Sequence, residues 1–215
     1  VQTLLPFSRD QFFEIFGAYN VAVWPAPIVA VGLAVVTLGL IVLRERVSCR
    51  ATFAVLALLW AWTGAVYHIL FFATINRAAV LFGIFFLLQA VLFLASAWNG
   101  KIALSRQAPS QWLGLAFITY ALVLYPMFVR AIGHAYPAAP SFGVTPCPLV
   151  IYTFGVLLLT PKRAPWPLFA IPILWAAVGA AAALLLGIYP DYVLPLSALA
   201  AVIANARKTP EAEGR

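Results

Sequence analysis

Ala51 to Ile75 reads ATFAVLALLWAWTGAVYHILFFATI, a run with no charged residue and a single imidazole. A helix rises 1.5 Å per residue and the hydrocarbon core of a bilayer is about 30 Å thick, so roughly 20 apolar residues suffice to cross it. A membrane barrel strand would alternate apolar and polar residues over about ten positions. This run is continuous, and it predicts a spanning helix. Arg44, Arg46 and Arg50 precede it, and Asn76 and Arg77 follow it.

The same pattern of apolar run and short polar break recurs along the chain. It predicts spans near 24–43, 51–75, 78–98, 112–135, 148–160, 166–187 and 190–206. The expected fold is an all-α, polytopic transmembrane helical bundle of about seven spans, forming one domain over residues 1–215. Composition agrees: 65% of residues are hydrophobic and 9% charged, against about 25% charged in a soluble domain. The span from Pro148 to Thr160 is the shortest and reads equally as a re-entrant segment buried in protein.

The net charge of +7 does not form one patch, so nucleic acid is not an expected partner; the lipid bilayer is. With the N-terminus outside, ten of the thirteen Lys and Arg fall on the cytoplasmic side and only Arg9, Arg77 and Arg130 outside. The positive-inside bias therefore selects N-out and C-in. The first residues lack the basic n-region of a cleavable signal peptide. Cys49 and Cys147 are too few for a disulfide framework and fall on opposite faces.

Before the first span, residues 8–20 predict an amphipathic interfacial helix. Ser8 with Gln11 forms a capping box, and Phe7 with Phe12 a hydrophobic staple. Phe12, Phe13, Phe16 and Tyr19 share one face, with Asp10, Gln11 and Glu14 opposite. Trp24, Trp98, Trp112 and Trp166 sit near span ends as interfacial anchors do. Gly179, Ala183 and Gly187 make a small-residue seam.

Polar groups deep in lipid are costly, which singles out a few residues. His68 lies about 12 Å inside the outer end of its span, either as a neutral imidazole bonded to a neighbouring helix or as a ligand contact. Arg130 and His134, four apart, share one helix face; Arg130 either snorkels to headgroups or forms a cationic mouth that binds an anion or pairs with Glu14 or Asp10. Gln89 reads as interhelical glue. The segment from His134 to Pro148 holds four prolines, which preclude a regular helix. Pro148 suits a first helical turn, placing Cys147 at a helix N-terminus where a thiolate is favoured. Thiolate and imidazole suit zinc or copper, so His68, His134 and Cys147 are candidate metal ligands. Thr145-Pro146-Cys147 resembles the intramembrane metal motif of heavy-metal-transporting P-type ATPases, a likeness confined to three residues.

The chain as a whole resembles the bacterial family catalogued as domain of unknown function 6064. The likeness rests on Leu5-Pro6-Phe7-Ser8-Arg9-Asp10-Gln11-Phe12, on Tyr19-Asn20 with Trp24-Pro25, and on Leu59-Trp60-Ala61-Trp62. Tyr67-His68, Leu70-Phe71-Phe72, Ile75-Asn76 and the run from Gly133-His134 through Phe142-Gly143-Val144-Thr145-Pro146-Cys147-Pro148 extend it. The resemblance implies a multi-pass bacterial membrane protein and supplies no activity.

The favoured functional expectation is binding of a metal ion or small ligand at the outer face, for transport or transfer, with Tyr67, His68, Arg130, His134 and Glu14 as ligand contacts. The alternative is an accessory or assembly subunit of a larger membrane complex with another membrane protein as partner. Haem is disfavoured because the two histidines lie at different depths. A proton relay is disfavoured because the acidic residues fall in the connections, and no span carries a lysine for a Schiff base. Neither points to an enzyme.

Overall fold

The protein is described by a computed structural model over residues 5–43 and 47–209; Arg44, Arg46 and Arg215 of the topology signal lie outside the described residues. A short helix α1 (Arg9–Ala22) precedes α2 (Ala26–Leu43). The next rod begins as α3 (Arg50–Trp62), widens to π turns over Thr63–Phe71 and closes with a 3-10 turn, Phe72–Thr74. α4 (Ala79–Asn99) returns. A second composite rod joins α5 (Gln111–Thr119), π turns at Tyr120–Leu124 and α6 (Tyr125–Ala131). α7 (Pro146–Leu158), α8 (Pro167–Leu186) and α9 (Val193–Arg207) complete the bundle.

Among the described residues, five helices are long and apolar enough to cross a membrane: α2, the rod Arg50–Thr74, α4, the rod Gln111–Ala131 and α8. The expected spans 148–160 and 190–206 are the exceptions. α9 has 15 residues. α7 has 13, about 20 Å of helix, and all of them are buried. A helix apolar on every side belongs in an interior, and α7 is a pillar packed against α5, α8 and α9.

Close backbone approach explains how so thin a bundle excludes space around that pillar. A Cβ on Gly155 of α7 would lie 2.8 Å from the Gly114 carbonyl oxygen of α5, and the reverse distance is also 2.8 Å. Gly64 and Gly83 make the same reciprocal crossing between the first rod and α4. Small residues at crossings let dispersion and packing hold helices together where lipid offers no hydrophobic contrast. Gln89 donates to the Leu168 carbonyl at 3.2 Å and so joins α4 to α8.

The two ends of the bundle differ. At one end β1 (Val47–Ser48) pairs antiparallel with β2 (Ala103–Leu104). There Asn205 both accepts from the Ala164 N–H and donates to its carbonyl. Lys208 donates to the Leu157 and Leu158 carbonyls and to Thr160 Oγ1, filling acceptors that the C-terminus of α7 leaves open. Burial pushes the Lys208 ammonium down to about 8. The other end gathers α1, the 132–145 loop and the turn Tyr189–Tyr192.

Candidate functional site

The helix α1 starts where its sequence says it must. Ser8 Oγ accepts from the Gln11 N–H at 3.2 Å, and Gln11 Oε1 accepts from the Ser8 N–H at 2.8 Å. Phe7 stacks on Phe12 with ring centroids 5.8 Å apart. Phe12, Phe13, Phe16, Tyr19 and Asn20 are buried. Tyr19 donates to the Val144 carbonyl and accepts from Trp62 Nε1. Asn20 donates to the carbonyls of Pro137 and Ala139. The helix is thereby fastened over the bundle end by polar bonds at its C-terminal half and aromatic packing at its N-terminal half.

Beneath it lies a cavity of about 390 Å³, within the size range of small-molecule sites. Phe7, Phe12, Phe72, Phe82, Tyr67 and Trp175 supply much of its wall; Cys147, Thr145, Asn76 and Asp191 supply the polar groups. Ala181 and Leu185 also line it and are exposed on α8, so the chamber opens beside that helix. Asp191 is 3% exposed. Tyr125 donates to its Oδ1 at 2.6 Å, and the Cys147 thiol is its second hydrogen-bonding neighbour. The Trp175 N–H lies beside the Cys147 sulfur without an aligned hydrogen bond. The π turns matter here: one stretch carries Tyr67 and the other ends immediately before Tyr125, and such local widening re-aims side chains at functional positions.

The expected ligand residues distribute over three places. Tyr67 and Cys147 face the chamber. His68 is fully buried behind it, its ring 4.7 Å from Phe86 and 4.9 Å from Trp175, and neither ring nitrogen has a hydrogen-bond partner. His134 stacks on Phe13 at 3.4 Å and, with Arg130, lines a second cavity of about 560 Å³ between α2 and α6. Burial lowers the His134 imidazole, Arg9 adds to the shift and Asp10 opposes it. Glu14 is exposed on α1. Among the described residues, no three of His, Cys, Asp and Glu form a group that could hold a metal ion; His68, His134 and Cys147 are not brought together as one set. Nor does Cys147 sit as a simple dipole-stabilised thiolate, since a thiolate there would face the Asp191 carboxylate.

Residues 9–213 match the family of unknown function DUF6064. The chain belongs to that family. No curated protein matches it, and no solved structure does. For this DUF6064 protein the helices fit a lipid bilayer, and any activity has to be argued from the chamber itself.

Sequence reasoning passes over Asp191 and Trp175 on the chamber wall and over Tyr125, which donates to Asp191 from outside it. A signal existed for the first: between Glu45 and Glu211, Asp191 is the sole acidic residue. It stands in Tyr-Pro-Asp-Tyr between two apolar helices, where nothing local indicates that it turns inward.

Proposed function

We propose that this DUF6064 protein binds a small, largely apolar ligand in the chamber beneath α1. The observation that carries this reading is a carboxylate, Asp191, buried at an aromatic-walled cavity that opens beside α8. The chamber lies at the end opposite the basic loops, so on the positive-inside bias it faces outward in a bacterial inner membrane, with α7 and α9 completing a seven-pass path. Ligand binding displaces the metal reading because the wall offers too few donors for an ion. An accessory subunit whose polar residues only join helices would account for Gln89 and Asn205. It gives no reason for a buried acid at a cavity.

Occlusion tests the reading. Ala182 is half-buried on the chamber wall, and Ala182→Trp would fill part of it. Native mass spectrometry in mild detergent should find a small molecule retained by the wild-type protein, or a stabilising shift with alkyl probes, and neither in the variant. Probe binding unaffected by Ala182→Trp would sink the chamber as the site. For the orientation, an impermeant thiol reagent on intact cells should label Tyr189→Cys and spare Gln107→Cys, both exposed positions; the reverse pattern overturns N-out.

A further inference from the structure

We propose that the chamber selects an organic monocation, an ammonium head carried on an alkyl or aryl body. This rests on the ligand-binding reading above and names its substrate class. Of the described residues lining the chamber, Asp191 alone is charged, and none is Lys, Arg or His. A buried carboxylate is stable when paired or fully hydrogen-bonded. Among the described residues the neighbours that hydrogen-bond the Asp191 carboxyl are the Tyr125 hydroxyl and the Cys147 thiol, both neutral groups. No described group on the chamber wall balances the Asp191 charge, so a cationic ligand would.

The rest of the wall decides which kind of cation. Hard metal ions require about six to eight oxygen ligands, and soft ones several nitrogen or sulfur donors. The chamber supplies one carboxylate and one thiol, and no three-residue metal group exists among the described residues. Aromatic faces, by contrast, attract ammonium groups through the ring quadrupole, with Trp the strongest and Tyr and Phe following. Tyr67, Phe72, Phe82 and Trp175 line the same space as Asp191. That combination of one acid and several rings is how proteins recognise alkylated ammonium. The mouth at Ala181 and Leu185, on the exposed side of α8, suits an amphiphile that partitions into a bilayer before it binds.

The test uses the full chain in a non-ionic detergent and three probes of equal chain length: hexyltrimethylammonium, hexanol and hexyl sulfate. Calorimetry should give the ammonium about ten-fold or more tighter binding than the alcohol, with the sulfate weakest. Asp191→Asn should bring the ammonium-to-alcohol ratio close to one. Equal affinity for all three probes in the wild-type protein overturns the cation preference and leaves a neutral apolar pocket. Tighter binding of the sulfate also overturns it. Binding of none of the three overturns the chamber as a ligand site altogether. Should Asp191→Asn fail to fold, the wild-type ranking of the probes decides the matter alone.

Discussion

The two ends of this bundle spend their polar groups in opposite ways. At the basic end, Lys208 closes the last carbonyls of α7, Asn205 holds Ala164 from both sides, and Arg163 donates to the Ala206 carbonyl. Every one of these bonds ends on the protein's own backbone or hydroxyls, and of the groups named there Arg163 Nε alone stays buried without a partner. At the α1 end the fastening bonds from Tyr19 and Asn20 lie to one side, and beside them stand a buried carboxylate, an unaligned indole N–H and an open cavity. The proposed division, rigidity at one end and binding at the other, rests on that cavity and its buried acid.

Breaking the pillar that both ends share should have the largest effect. In Gly155→Leu the new side chain meets the Gly114 carbonyl oxygen and Ile118, each 2.8 Å from the position of its Cβ. Overpacking against backbone costs on the order of 3 kcal/mol, and thermal unfolding in detergent should show the loss, together with loss of probe binding. An unchanged midpoint would mean that α5 and α7 do not touch as described.

Lys208→Ala attacks the basic end alone. Deleting a charge-assisted donor from buried carbonyls costs about 2 kcal/mol, while affinity in the chamber should stay the same. A pH signature sharpens this. Burial lowers Lys208 from 10.5 to about 8, so above pH 8 the folded protein releases a proton that the unfolded chain keeps until about pH 10.5. The unfolded state then binds more protons, and stability contributed by this group rises across that window. The variant should lack the rise. A matching rise in both proteins would assign it to another group.

How much of this was legible in the sequence follows from where each signal is local. The start of α1 was readable because the cap, the box and the staple all lie within six residues. The apolar runs gave the five long helices because length alone decides whether a helix can span. The burial of α7 was one of two open readings, span or segment buried in protein, because a thirteen-residue run whose polar groups are few, Tyr152 and Thr153, looks much the same facing lipid as facing protein. Lys208 counted as a topology charge, and its second role appears only once α7 is seen to end beside it. Asp191 turns inward because Tyr125, 66 residues earlier in the chain, presents a hydroxyl to it. His68 and His134 could be separated in depth from sequence, but Trp175 and Phe86, which wall off His68, come from other helices.

The smallest effect expected is also the one that ties local helix chemistry to the chamber. Ser8→Ala removes the acceptor for the Gln11 N–H, and loss of such a cap costs about 1 kcal/mol. The fastening of Tyr19 and Asn20 on the 137–144 loop is untouched, so α1 should stay in place and fray only at its first turn. That turn holds Phe7 against Phe12, and both rings are chamber wall. Fraying should therefore weaken probe affinity by a few-fold, on the order of the same 1 kcal/mol, while the basic end keeps its stability. Hydrogen exchange should show faster exchange confined to the first turn of α1. If exchange instead rises across residues 205–209, the two ends are mechanically coupled and the division between a rigid end and a binding end fails.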